Sequence, residues 1–477
     1  MTMWVVPGAP LEQGAGWRIW YSQDGDADFR PQPVTVAKSQ QPQPIDEEWN
    51  LLARLPEFHR RIGVLTVRLR QPDPAGPVYE LSVPEAERGA PFRWRSLPAG
   101  VGQEGVTFLL ASCFWRDDDK EGSYTAGVQE LTRRWSPAFK LLAGDQLYAD
   151  WPIGNTDLPA VEFYASRYAE YWGDALYREL LQTSPTFFVC DDHEFWNDFP
   201  ERQIQVPRTW LPAERKITAQ AGLDLYDRFQ GCANPAPFRW YGFRIDPVSF
   251  FVVDSRSRRD PFNKQPRPPH FLPEEQWQDL ERWVHQLTGP GVLLIGQPAF
   301  QKDGDWRDHS LSNFPEDYGR LWAVIEESLE GHTADGRPHD ILVLSGDIHT
   351  GRFAVGRRGG LDAPEGVPEL IASPASMIRP GSKEVEEPDY RFTVHHRGRA
   401  TTWQVDRNPA AGVPFMTLAN NVAAVRMGLG TNGRIRFELT LWQVRPYDSR
   451  SWWERFTGDP APVGPVIELF RKEIELR

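Results

Sequence analysis

The sequence has few cysteines, no long apolar run and no strongly basic stretch. Three cysteines in 477 residues do not make a disulfide framework, so reduced thiols in the cytoplasm are expected. No run of about 18 apolar residues occurs, which predicts that no helix spans a membrane. The first residues carry neither a basic region before an apolar one nor a twin arginine, which again favours a cytoplasmic location.

Charge and composition narrow the class of protein further. Lys and Arg number 53 against 66 Asp and Glu, giving a net charge of −13. A general nucleic-acid binder needs a basic surface, so no stable nucleic-acid partner is expected. Apolar residues make up 40% and charged residues 25%, as in ordinary globular proteins, which excludes disordered, collagen-like and coiled-coil chains. Any anionic substrate would have to be held locally, by metals or a few arginines.

The chain divides by pattern into three parts. Residues 1–97 predict a β-rich domain with strands at 63–70 and 78–83, and with helix signals only around 47–61. Residues 98–450 predict a catalytic domain that ends in a β region, and residues 451–477 predict a loop followed by a helix at 466–477.

The catalytic part alternates short apolar runs with segments of helical period, which indicates an α/β fold with a sheet covered by helices. Its predicted strands lie at 106–111, 139–143, 186–190, 249–253, 292–295 and 341–344. Its predicted helices lie at 160–181, 213–229, 274–287 and 318–329. Further along, residues 390–395 with 401–405, and 422–427 with 434–442, predict two hairpins, the second around Thr431-Asn432-Gly433.

Polar residues follow five of the predicted strands, where ligands bind in open α/β sheets. They are Ser112 and Cys113; Asp145, Tyr148 and Asp150; Asp191 to Glu194 with Asn197; Asp254, Arg256 and Arg259; and Asp347 with His349. Asp and His together suit Mn, Fe or Zn, whereas carboxylates alone suit Ca or Mg. One Asp can bridge two metals, and such a pair, about 3.5–4 Å apart, stabilises both oxygens of a phosphoryl displacement. One convergent metal site is therefore expected.

Read singly, each of these residues also has a structural interpretation. Cys113 could be a small buried hydrophobe, and Asp145 or Asp347 a turn residue. Tyr148 could pack its ring, and His193 could be a core histidine. Arg256 and Arg259 could be a solvated surface pair, and His395 and His396 could simply lie in a hairpin. The tryptophans, including Trp452 and Trp453, could serve packing or form a platform on which a base stacks.

Taken in order, the motifs resemble the alkaline phosphatase D (PhoD-like) branch of the calcineurin-like metallophosphatases over roughly residues 105–380. The matching segments are Ala111-Ser112-Cys113, Gly144 to Asp150, Asp191 to Glu194 with Asn197, Asp254 to Arg256 with Arg259, and Ser345 to His349. The resemblance implies a β-sandwich core flanked by helices, a small N-terminal β domain, phosphoester hydrolysis and a centre holding iron and calcium. The N-terminal region fits the family only loosely, and segments 196–231 and 260–271 are individual to this chain, so substrate choice is expected there.

The resemblance also implies roles for single residues. Asp145 would be the bridging ligand, and Cys113 and Tyr148 would bind iron. Asp192, Asp347 and either Asn197 or His349 would complete the centre. The catalytic residues would be His193, Arg256 and Asp192, and the phosphate would be faced by His193 and Arg256, with Arg259 beside them.

The predicted reaction is metal-assisted hydrolysis of a phosphorylated small molecule or a diester by an activated water. Mn, Mg or Zn in place of iron and calcium stays open. One alternative is a phosphodiesterase for nucleotides or phospholipid headgroups. Another is a non-catalytic ligand-binding module on a phosphatase fold.

Overall fold

In the computed structural model, the described residues are 2–11, 14–24, 31–55, 60–70, 78–84, 92–95, 97–119, 122–151, 158–203, 206–234, 239–261, 268–300, 310–361, 366–376, 390–406, 415–444 and 465–477. Trp452 and Trp453 lie outside them, as does the middle of the 260–271 loop. Among these residues no helix is both long and apolar enough to cross a membrane.

The N-terminal region consists of two four-stranded antiparallel sheets. Their strands are β1 (Thr2–Leu11), β2 (Gly14–Asp24), β3 (Thr35–Lys38), β4 (Gln41–Pro42), β5 (Ile45–Leu55), β6 (Arg60–Leu69), β7 (Val78–Ser82) and β8 (Phe92–Arg95). The orders are β1-β2-β6-β5 and β4-β3-β7-β8. Alternate residues such as Trp17 and Ile19 of the first sheet share a core with Tyr79 and Leu81 of the second, because side chains alternate between the faces of a strand. The predicted β character of this region is confirmed.

The helix signals around 47–61 are wrong, because β5 and β6 occupy the described part of this segment and pair antiparallel. The pairing brings Trp49 against Tyr21, with ring centroids 5.7 Å apart. Packing against a neighbouring strand therefore outweighs the local propensity of these residues.

Two larger sheets form the catalytic part. Their strands are β9 (Val106–Ala111), β10 (Phe139–Ala143), β11 (Thr186–Val189), β12 (Tyr241–Ile245), β13 (Val248–Val253), β14 (Gly291–Ile295), β15 (Ile341–Ser345), β16 (Gly351–Arg358), β17 (Val367–Ile371), β18 (Tyr390–His396), β19 (Arg399–Asp406), β20 (Phe415–Thr417), β21 (Asn421–Leu429), β22 (Ile435–Gln443) and β23 (Ile467–Leu476). The first sheet has the order β11-β10-β9-β21-β22-β23. The second has the order β12-β13-β14-β15-β17-β16-β19-β18, with β20 beside β16.

The two sheets face each other across one apolar layer. Phe108 and Phe139 come from the first sheet and Phe250 from the second, and all three belong to the same buried cluster. Phe108 stacks on Phe139 with centroids 4.9 Å apart, and both rings meet Phe250 edge-on. This is a β-sandwich core, as expected.

Helices cover the outer faces of the sandwich. They are α1 (Ser123–Trp135), α2 (Ala160–Gly173), α3 (Ala175–Gln182), α4 (Pro212–Phe229), α5 (Glu274–His285) and α6 (Pro315–Leu329). Helices α1 to α4 pack on the six-stranded sheet, and α5 and α6 pack on the larger sheet. The expected mixed α/β architecture with flanking helices is therefore confirmed.

Two helix predictions differ from the structure. The predicted terminal helix at 466–477 is wrong, because the backbone of β23 is hydrogen-bonded along its length to the antiparallel strand β22. The predicted helix at 160–181 is divided in two at Asp174, whose side chain caps α3 by accepting hydrogen bonds from the backbone N–H groups of Leu176 and Tyr177. The domain boundaries at residues 97 and 450 stay predictions.

Candidate metal centre

Parallel pairing places the predicted site residues together. Strands β9, β10 and β11 run parallel, so Cys113, Asp145 and Asp192 follow neighbouring strand ends. In the facing sheet, β13 and β15 are both parallel to β14, so Arg256 and Asp347 also follow strand ends on one edge. The sandwich brings these two edges against each other.

Three groups of side chains at this edge have the spacing that a metal ion needs. Within each group the candidate ligand atoms all lie within 4.8 Å of one another. The groups are Cys113, Asp145 and His349; Asp145, Asp192 and His193; and Asp145, Asp191, Asp192 and Asp347. Asp145 belongs to all three, which is the position required of a bridging carboxylate.

The charges of this cluster fit a cation. Burial, and next the nearby Asp192, raise the pKa of Asp145 well above its usual value. Oδ2 of Asp191 is buried and has no hydrogen-bond partner among the described residues. Close buried carboxylates repel one another when ionised, and a metal cation removes this penalty. The donor set therefore fits the expected metals, with carboxylates, imidazole, thiol and phenol all within one site.

Cys113 and Tyr148 lie on one side of Asp145. The thiol Sγ of Cys113 is 3.5 Å from Oδ2 of Asp145, and the hydroxyl of Tyr148 is 3.1 Å from Nε2 of His349. Ser373 donates a hydrogen bond of 3.2 Å to the sulfur. Burial raises the pKa of Cys113 and of Tyr148 well above their usual values, so neither group ionises here without a strong Lewis acid.

His193 is held by a carboxylate that was not among the predicted site residues. Nδ1 of His193 is 2.8 Å from Oδ1 of Asp150, and the other oxygen of Asp150 accepts the backbone N–H of Asn197 at 2.9 Å. The imidazole also lies against the ring of Tyr148, with centroids 4.1 Å apart. Burial disfavours the imidazolium, but Asp150 and Asp192 outweigh burial and hold the pKa of His193 well above its usual value.

Arg256 is fully buried and contacts protein groups rather than open space. Its Nε is 2.5 Å from Oδ1 of Asp191, and its Nη1 donates to the backbone oxygen of Phe199 at 3.0 Å. Its Nη2 lies 4.0 Å from Oδ2 of Asp347. Burial raises the pKa of Asp191 to about 6 even though Arg256 opposes the shift. Contact between Arg256 and a phosphate stays a prediction.

Arg259 is connected to Asp191 through the side chain of Gln297. Its Nε donates to the backbone oxygen of Ser255 at 2.9 Å, and its Nη2 donates to Oε1 of Gln297 at 2.9 Å. The Gln297 side chain amide in turn donates to Asp191. The two predicted anion-binding arginines are therefore linked to each other through Asp191 and Gln297.

Most of the predicted ligands meet at this edge. Cys113, Asp145, Asp192, His193, Asp347 and His349 fall in the candidate groups, with Tyr148 beside them. Asn197 reaches the site through its backbone, and a ligand role for its side chain stays a prediction. His395 and His396 lie in β18 and belong to none of the candidate groups formed by described residues.

Four participating residues had no individual role predicted from the sequence. Asp150, Asp191 and Glu194 all stood inside the quoted motifs, so their signal was present but carried no assigned role. Gln297 follows the end of β14, and a polar side chain directly after a buried strand was its only signal.

Comparisons with known proteins identify the family and the fold. The sequence matches the family described as PhoD-like phosphatase over residues 108–420. Among solved structures, the chain is similar to one described as "Structure of PhoD", with 17% sequence identity, a TM-score of 0.59, and coverage of 93% of this chain and 87% of that chain. At that identity the likeness concerns the fold. No curated protein matches the sequence.

Proposed function

This chain belongs to the PhoD-like phosphatase family, and we propose that it is a metal-dependent hydrolase of small phosphomonoesters or phosphodiesters. The family supports phosphoester hydrolysis in general. The observation that carries the metal-dependent reaction is the meeting of four carboxylates, those of Asp145, Asp191, Asp192 and Asp347, within 4.8 Å of one another.

The donor types divide the centre into two halves that share Asp145. The half with Cys113, Tyr148 and His349 suits iron, because thiolate and phenolate are anionic donors that ferric iron accepts. The half with Asp192 and Asp347, with or without Asn197, suits calcium and leaves room for Mn, Mg or Zn. Bound metals there would lower the pKa of a water molecule and offset the charge of the phosphoryl oxygens.

Side chains of the protein would act on the phosphoryl group opposite the metals. Asp150 fixes the ring of His193 so that Nδ1 is engaged and Nε2 is left to face the site, where it can hold a proton near a phosphoryl oxygen. The positive charges of Arg256 and Arg259 stabilise the ionised carboxylate of Asp191. In this arrangement His193 is the group that touches substrate, with Arg256 beside it if its Nη2 reaches the anion.

A direct assay tests the proposal. Purified protein should hydrolyse p-nitrophenyl phosphate, bis-p-nitrophenyl phosphate or both, and a chelator should abolish the activity. Re-addition of iron with calcium, or of manganese, should restore it. A protein that binds metal but hydrolyses neither ester would contradict the proposal and favour a ligand-binding module.

A cytoplasmic location is part of the same proposal. Cys113, Cys190 and Cys232 are all free thiols, which supports a reducing, cytoplasmic compartment.

A further inference from the structure

Glu194 is a fully buried carboxylate that the reaction does not use. Its Oε2 accepts the backbone N–H groups of Asp145 at 2.9 Å and of Asp191 at 2.8 Å. Its Oε1 accepts the backbone N–H of Gln146 at 2.6 Å and the side-chain amide of Gln230 at 3.2 Å. All four donors are neutral, and no ion pair with a described basic residue accompanies them.

These hydrogen bonds join the two loops that carry the central ligands. Asp145 follows β10, whereas Asp191 follows β11, which pairs with β10 in parallel. Glu194 lies on the second loop, and its side chain reaches the first by accepting two backbone N–H groups, those of Asp145 and Gln146. Asp191 returns the interaction, since its side chain accepts the backbone N–H of Glu194. One side chain therefore fixes both strand ends against each other.

The local backbone needs such a restraint. Asp145 has a φ of 54°, in the left-handed region that residues other than glycine rarely adopt. Its N–H group points to Oε2 of Glu194, and the next N–H in the chain points to Oε1. Burying a carboxylate is costly, and the four donated bonds offset only part of that cost, because burial raises the pKa of Glu194 to about 7 even though these bonds oppose the shift.

We propose that Glu194 is a positioning residue that sets the spacing between Asp145 and Asp192, and thereby the affinity of the metal centre. The inference rests on the proposed function only in taking these two residues as metal ligands. Outer partners of metal ligands typically change metal affinity or activity by about 10- to 100-fold when they are altered.

Glu194→Gln is the direct test, because an amide presents an NH₂ group where a carboxylate oxygen accepted backbone N–H groups. Mn²⁺ binding to the metal-stripped protein should weaken by about 10- to 100-fold in a calorimetric titration. The kcat for bis-p-nitrophenyl phosphate should fall by a similar factor while KM changes little, since Glu194 does not touch substrate. Glu194→Asp keeps the charge and should recover part of the affinity.

Asp317→Asn provides a matched control. Asp317 is also buried, and its Oδ2 accepts two backbone N–H groups, from Phe271 at 2.8 Å and Leu272 at 3.2 Å. None of its partners is a candidate metal ligand. This variant should lose thermal stability but keep the wild-type affinity for Mn²⁺.

The outcomes separate this inference from the proposed function. If the wild type hydrolyses the diester and Glu194→Gln keeps its Mn²⁺ affinity and kcat, Glu194 is only structural and the inference is overturned. If the wild type hydrolyses nothing but Glu194→Gln still binds Mn²⁺ more weakly, the inference holds and the function fails. Should Glu194→Gln not fold, Glu194→Asp decides, because unaltered Mn²⁺ affinity in that variant also overturns the inference.

Discussion

Asp150 and His193 form a buried pair, with Oδ1 of the carboxylate 2.8 Å from Nδ1 of the imidazole. The carboxylate orients the ring and favours its protonated form. Asp150→Asn should therefore lower kcat by about 10- to 100-fold, a modest part of what general acid–base catalysis supplies. In a His193→Ala background the same change should have no further effect, which a double-mutant cycle on bis-p-nitrophenyl phosphate would measure.

The same pair predicts a pH dependence. Burial lowers the pKa of His193, but Asp150 and then Asp192 raise it above its usual value, and the raising effects win. Removing the carboxylate of Asp150 takes away the largest of these, so the pKa falls and the protonated form is lost at lower pH. The alkaline limb of the kcat profile should move to lower pH in Asp150→Asn. An unmoved limb would mean that His193 does not act in its protonated form.

Asp145→Asn should abolish metal binding and hydrolysis together. The bridging position needs two anionic oxygens, and an amide offers one neutral oxygen. We expect elemental analysis to show metal loss while the circular dichroism spectrum is unchanged. A metal-loaded and active variant would exclude Asp145 as the shared ligand.

Arg256→Ala should destabilise the fold strongly, because Asp191 would remain buried without its cationic partner. Breaking a buried ion pair on one side typically costs about 3–5 kcal/mol, which urea denaturation would detect. Adding Asp191→Asn removes the stranded charge and should restore most of the stability.

The double variant also tests contact with the anion. If Arg256 grips phosphate as the motifs predict, the double variant should show about 10- to 100-fold lower catalytic efficiency and weaker phosphate inhibition than Asp191→Asn alone, which lacks the same carboxylate. Unchanged phosphate inhibition would place Arg256 outside the substrate site.

Cys113 and Tyr148 should give the purified protein a visible absorption band. Both pKa values are raised by burial, so ionised thiolate and phenolate here require a strong Lewis acid such as ferric iron. The band should shift or fade in Tyr148→Phe and change in Cys113→Ser, each with lower activity. Colourless, iron-free protein with full activity in both variants would leave an ordinary two-metal phosphatase.

The sequence predicted the catalytic sheets well because their strands are short, continuously apolar and followed by polar residues. Val106–Ala111 and Phe139–Ala143 were placed to the residue. Strand β23 and the segment of β5 were missed for one physical reason. Both carry charged and apolar residues in patterns that suit either helix or strand, and pairing with a partner strand, β22 for β23 and β6 for β5, decides the outcome.

The ligand set was accessible from the motifs, but the connections between its members were not. Nothing in the residue types says that Arg256 turns toward Asp191 rather than toward solvent, or that Asp150 faces His193. The first contact depends on how β11 and β13, in different sheets, approach each other, and the second on how the loops after the paired strands β10 and β11 turn. Spacing along a chain carries no information on that approach.

Four of the candidate ligands adopt the backbone region that glycine normally occupies. The φ values are 60° at Cys113, 54° at Asp145, 67° at Asp347 and 50° at His349. A residue with a side chain costs roughly 1–2 kcal/mol in this region, so the candidate ligands lie on conformationally strained backbone. A search for heat-resistant variants that ignored activity would therefore be drawn to glycine at these four positions. Each such gain in robustness would remove a ligand, so at this edge durability and chemistry compete for the same residues.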